Sequence, residues 1–133
     1  MYRRRIKHSD GVAALEFGLV VPILMVLLMA IIDYGQVYFV RLTMTNAARE
    51  GARIGATMNA EDAAAAAVNR AQTYLQNAGI HATVTATSPS DTAPEVQVSI
   101  TLSPYEPLVG LVPTPGELRV SATMRWELAR PEP

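Results

Sequence analysis

The chain has no cysteine, which excludes disulfides, thiolate metal sites and a thiol nucleophile. Its two histidines, His8 and His81, stand far apart, and no His/Asp/Glu cluster shows metal-ligand spacing. No glycine-rich phosphate loop is present, because Gly51 and Gly55 sit in a helical pattern with no Gly-Lys-Ser/Thr after them. Basic residues are scarce beyond the first eleven positions. Residues 12–133 hold seven Lys/Arg against eleven Asp/Glu, so there is no basic patch to neutralise phosphates and nucleic-acid binding is disfavoured. The expectation is a protein that is not an enzyme, with no catalytic residues, no metal, no cofactor and no small-molecule substrate. The 133 residues suffice for one modest domain and an anchor.

Charge is also missing from Phe17–Ile32, sixteen residues in a row, and Val12–Ile32 carries only Glu16. About 20 residues at ~1.5 Å each cover the ~30 Å hydrocarbon layer. The run lacks the polar stripe of a helix buried in a soluble domain, so it reads as a single membrane span. Arg3, Arg4, Arg5 and Lys7 precede it and Asp33 follows it, which keeps the N-terminus cytoplasmic and the body outside. A secretory signal peptide fits poorly: the run is too long, and Met29–Asp33 offers no small-x-small cleavage site. Pro22 removes a donor opposite the Gly18 carbonyl and predicts a kink.

Glu16 is an expensive residue to keep there. A charge costs ~2.5–3.5 kcal/mol at the centre of a span and less toward an end. Gly11-Val12-Ala13-Ala14-Leu15-Glu16-Phe17 resembles a type IV prepilin processing site, in which a peptidase on the cytoplasmic face cuts after the glycine. The resemblance implies Gly11 and Val12 as the processing site, with Glu16 and Phe17 serving recognition or assembly. Cutting would create an ammonium on Val12, one helical turn and ~6 Å of rise from Glu16. An apolar medium strengthens their attraction, within one chain or between neighbours in a filament. The bland alternative is a Glu16 side chain that snorkels to the interface.

Beyond the span, Tyr34, Tyr38 and Phe39 suit an aromatic belt. Val37, Val40, Met44, Ala47, Gly51 and Ile54 recur at helical spacing, so the helix is expected to continue to about Ala56 unless Gly35 interrupts it. Ala47/Gly51/Gly55 and Ala48/Ala52/Ala56 place small residues at every fourth position, which allows close backbone approach. Their partner is either the next helix of the chain or a neighbouring subunit. That next helix has Asn59 as a candidate N-cap, Glu61 and Asp62 in its first turn, an alanine-rich stripe to Ala78, and Gly79 as its stop. The period then changes to two. Ala82/Val84/Ala86, Val96/Val98/Ile100/Leu102 and Leu118/Val120/Ala122/Met124/Trp126 read as three half-buried strands. Trp126 is expected in the core. Ser88–Pro94 is expected to form a hairpin loop. The apolar, proline-rich stretch 104–116 is either packed over the sheet or offered to a partner. The fold class is α+β: a long membrane-spanning helix, a second amphipathic helix and a small antiparallel sheet, pilin-like in outline.

The leader, Gly-x-x-x-x-Glu-Phe, the span ending in Ile-Ile-Asp-Tyr-Gly, and the string Asn46-Ala47-Ala48-Arg49-Glu50-Gly51-Ala52-Arg53 together resemble the TadE-like family of the tight-adherence (Flp) pilus system. The resemblance is strongest over residues 11–56. It implies a leader at 1–11, a transmembrane helix at 12–34 and an extracytoplasmic pilin-like domain at 35–133. It also implies a minor pilin or pseudopilin of the bacterial inner membrane that acts in assembly of a pilus for surface attachment and biofilm formation. The partners would be a prepilin peptidase, other pilins, the assembly machinery and membrane lipid. The alternative is an uncleaved single-pass protein whose outer domain binds a secretion or pilus-assembly partner.

Overall fold

The computed structural model describes residues 8–90 and 92–127. The basic stretch through Lys7 and the tail Arg130–Pro133 lie outside the described residues. The architecture is α+β: a long apolar N-terminal helix, a second helix and a three-stranded antiparallel sheet.

Helix α1 runs from His8 to Ala56, ~74 Å at ~1.5 Å per residue. It continues through both Pro22 and Gly35, so the glycine does not interrupt it. Nothing lies within 4 Å of a Cβ built on Gly35, and a lone glycine costs only ~1 kcal/mol in a helix. The helix divides into two halves by environment. No residue from Gly11 to Ile32 is buried, whereas Asp33, Val40, Met44, Ala47, Gly51 and Gly55 are buried along one face.

Helix α2 spans Ala60–Asn77 and buries Ala63, Ala67, Ala71 and Leu75 against α1 and the sheet. Asn59 occupies its N-cap position, but the side chain makes no capping bond. Its carbonyl oxygen instead accepts from the amides of Asp62 at 3.0 Å and Ala63 at 2.9 Å. The helix ends as its sequence predicts: Gly79 adopts φ +70°, the Ile80 amide donates to the Leu75 carbonyl at 2.9 Å, and the Gly79 amide donates to Gln76 at 3.0 Å. This is a Schellman closure, whose left-handed residue suits glycine because it lacks a Cβ.

Strands β1 (Thr83–Thr87), β2 (Glu95–Leu102) and β3 (Leu118–Arg125) form a meander in the order β1-β2-β3. The register aligns Val84 with Ile100 and Ile100 with Val120, so the apolar alternation of all three strands falls on one face. Val96, Val98 and Ile100 on the central strand are fully buried. Trp126 departs from its expected place. It lies just past β3, half-buried, and its Nε1 donates to the Met58 carbonyl at 2.8 Å. The indole fastens the end of the sheet to the α1–α2 turn, where its N–H finds an acceptor that a core site would lack. Glu127 N also donates to Ala56 O at 3.0 Å. With that end of the sheet tied to Ala56–Met58, the β2–β3 connection lies at the opposite end, beside the middle of α1.

Candidate functional site

Three groups of residues along α1 carry the functional expectations, and the helix keeps them apart. Gly11, Val12, Glu16 and Phe17 stand exposed at its start. Ala47, Ala48, Gly51, Ala52 and Gly55 are buried near its end, with Glu16 and Ala47 separated by ~46 Å of helix. Between them lies Asp33.

The small-residue rows pack inside the chain. A Cβ on Gly51 would lie 2.7 Å from the Ala67 carbonyl oxygen and 3.0 Å from the Ala71 Cβ. At Gly55 it would meet the Ala63 carbonyl oxygen at 2.8 Å, with the Ala67 Cβ and Val96 Cγ1 both at 2.9 Å. Backbone meets backbone there, and only glycine leaves room. Ala47, Ala48 and Ala52 belong to the same core.

Glu50, flanking the Ala47/Gly51/Gly55 row, links the helices electrostatically. Its Oε1 accepts from Arg70 of α2 at 2.9 Å, and its two oxygens accept from the Arg53 guanidinium at 3.0 Å each. The bonds from Arg53, then those from Arg70, hold the Glu50 carboxyl at about 2, against an ordinary 4.5. The pairing with Arg70 joins residues twenty positions apart on two helices and has no periodic signature in the sequence.

Asp33 is 0% exposed. Its Oδ1 accepts from the Val109 amide at 2.8 Å and its Oδ2 from the Gly110 amide at 3.1 Å. The neighbouring Tyr34 hydroxyl donates to the Pro113 carbonyl at 2.9 Å. The β2–β3 loop is therefore pinned to α1 at the end of the apolar run, while Tyr105 at its base belongs to the core shared with the sheet. Its base is closed by the Tyr105 amide, which donates to Gly116 O at 2.9 Å. Tyr105 borders a groove of about 550 Å³ that also touches Gln36, Val40, His81 and Leu102. Its hydroxyl is buried without a hydrogen-bond partner. Burial first, and the charge of Asp33 second, raise its pKa.

No cluster of three or more His, Asp and Glu that could hold a metal occurs among the described residues. His81 stands exposed at the rim of the groove.

Fold and site together define an α+β domain built directly onto one long apolar helix, near the N-terminus, that is long and apolar enough to cross a membrane. Residues 11–53 match the family model of TadE-like proteins, the family that the Gly11–Phe17 and Asn46–Arg53 motifs suggested. The matched segment runs from Gly11 through the span and the loop-bound Asp33 to Arg53 in the packed region. No curated protein and no solved structure matches the chain.

Proposed function

We propose that this chain is a minor pilin or pseudopilin of a tight-adherence (Flp-type) pilus system. It is held by a single span in the inner membrane with its α+β body outside, and it acts in pilus assembly, and so in surface attachment and biofilm formation. The observation that carries this reading is the TadE-like match beginning at Gly11, with a carboxylate, Glu16, near the start of an otherwise uncharged span. Prepilin peptidase cuts between Gly11 and Val12. The new Val12 ammonium then lies one turn from Glu16, where a low dielectric favours their pairing. Glu16 is exposed on the helix surface, and its carboxylate pairs with that ammonium or with the ammonium of a neighbouring subunit. Phe17, exposed beside it, serves recognition or lipid contact. The role is structural, with no reaction assigned to the chain. Its partners are other pilins and the assembly machinery.

Mass spectrometry of the membrane-extracted protein, with and without co-expressed prepilin peptidase, tests this. The expected product begins at Val12 only when the peptidase is present, and Gly11→Ala blocks its appearance. A chain that keeps residues 1–11 in the presence of active peptidase refutes the processing step and favours the uncleaved, partner-binding alternative.

A further inference from the structure

We propose that the tip of the β2–β3 loop, Leu108–Leu111, is a second membrane contact that inserts into the outer leaflet around the chain's own span. This rests on the reading of α1 as membrane-spanning. If Val12–Ile32 fills the hydrocarbon layer, Asp33 marks its outer edge. The amides of Val109 and Gly110 are hydrogen-bonded to that very residue, at 2.8 and 3.1 Å. The Tyr34–Pro113 bond fixes the descending side of the loop at the same level. The loop tip therefore lies where acyl chains give way to headgroups.

Its chemistry suits that place. Pro107 to Gly116 contains no charged residue, so lowering it toward lipid desolvates no ion. Leu108 is 68% and Leu111 60% exposed, large apolar side chains that the protein itself leaves uncovered. Ile31 and Ile32, which directly precede the loop-bound Asp33 on the span, are uncovered as well. Asp33, the charge that α1 itself places at this level, is wholly enclosed, and its two oxygens are satisfied by loop amides, as a carboxylate bordering lipid requires; Glu106, at the base of the loop, is exposed. Lipid is the occupant these facts select: a shallow apolar insertion at the interface depth, held against an apolar helix that lipid already surrounds. Two points of attachment would fix the tilt and rotation of the body over the bilayer, which a lone helix leaves free.

The absence of native cysteine makes single-site labelling clean. Leu108→Cys and Leu111→Cys carry an environment-sensitive fluorophore in the full chain, reconstituted in phosphatidylcholine vesicles with a minority of phosphatidylglycerol. Leu24→Cys in the span and Thr123→Cys on the exposed side of β3 are the references, and Trp126 emission reports that the body is folded. The expected result at 108 and 111 is a blue shift, strong quenching by a nitroxide on a shallow acyl carbon, and iodide quenching several-fold weaker than at 123. Iodide quenching equal to that at 123 overturns the insertion. Protection that appears only as the protein-to-lipid ratio rises overturns it in favour of a second copy as the occupant. A Leu24 label open to iodide identifies failure of the span itself, a result separable from failure of the loop.

Discussion

Replacing Gly55 by alanine tests how tightly α1 is fitted to the body. The substitution has two opposed effects. Alanine is the better helix former by ~1 kcal/mol, so at an unobstructed position the change stabilises. At Gly55 the added Cβ would stand 2.8 Å from a main-chain oxygen of α2 and 2.9 Å from both the Ala67 Cβ and Val96 Cγ1. Ordinary contact begins near 3.4 Å, so α2 must withdraw by roughly half an ångström, a shift on the scale at which packed interiors lose stability. The Ala63 carbonyl is part of a helix and has no rotamer to escape into. Overpacking of this kind costs ~1–3 kcal/mol, and obstruction on three sides places Gly55 toward the upper end. The net expectation for Gly55→Ala is a loss of ~1–2 kcal/mol after the gain in propensity. Gly51→Ala, with its closest approach of 2.7 Å to Ala67 O and one side-chain neighbour at 3.0 Å, is expected to lose a similar or slightly smaller amount.

Gly35 supplies the control. It lies in the same helix with nothing within 4 Å of its built Cβ, so Gly35→Ala is expected to stabilise by up to ~1 kcal/mol. Denaturant unfolding of the full chain in mild detergent, followed by the fluorescence of the single tryptophan, reads all three. Trp126 is well placed as the probe because its indole N–H bonds to Met58 in the α1–α2 turn, and that contact is lost when the helices separate. A Gly55→Ala protein as stable as wild type, or more stable, would refute the close approach. So would an equal change at Gly35 and Gly55, since propensity alone treats the two positions alike.

Other expectations follow from single contacts. Glu50 has a depressed carboxyl pKa, about 2 against 4.5, so its contribution to stability is fully present above about 4.5 and is lost as pH falls toward 2. The stability gap between wild type and Glu50→Gln, measured by denaturation at a series of pH values, should therefore close over that range, and a gap that stays constant would contradict it. Asp33→Asn leaves one acceptor for two loop amides, and hydrogen bonds to charged groups are worth ~1.5–3 kcal/mol. Amide exchange at Val109 and Gly110 should quicken by at least tenfold while the amides of β2 are unaffected. Leu75→Ala empties a site that is 1% exposed and should cost ~2–5 kcal/mol in the same unfolding assay.

Periodicity made most of the fold legible. The 3.6-residue pattern of Val40, Met44, Ala47 and Gly51 and the two-residue alternation of Val96, Val98 and Ile100 both reflect burial, and burial is what the structure shows at these positions. The stop at Gly79 was equally legible, because a left-handed turn is a local demand on one residue. Trp126 was misjudged because alternation continues past the last paired residue: the strand ends at Arg125, and the indole turns to a carbonyl that no pattern within the strand could announce. Asn59 takes the N-cap position that its residue type suggests, with its carbonyl rather than its side chain accepting the first helical bonds. Glu50–Arg70 and Asp33–Val109 were beyond reach for one shared reason. Each joins single residues distant in sequence, and a pairing made once leaves no repeat to detect.

Asp33 shows why that blind spot matters here. Counted along α1 from Gly11, it is the first buried residue, and the positions that follow it at helical spacing, from Val37 through Val40 and Met44 to Ala47 and Gly51, form the face that packs on the body. An apolar residue would fit the start of such a face. A carboxylate is tolerable there only because two amides reach it from a segment 76 and 77 residues away. Burial of an unpaired carboxylate is strongly unfavourable, so the loop can leave Asp33 only where water can replace it. Under the membrane-spanning reading, lipid surrounds the helix just below, and water is least available on that side. The same residue that ends the apolar run therefore holds the loop shut, and the boundary between anchor and body is set by this contact as much as by the change in hydropathy.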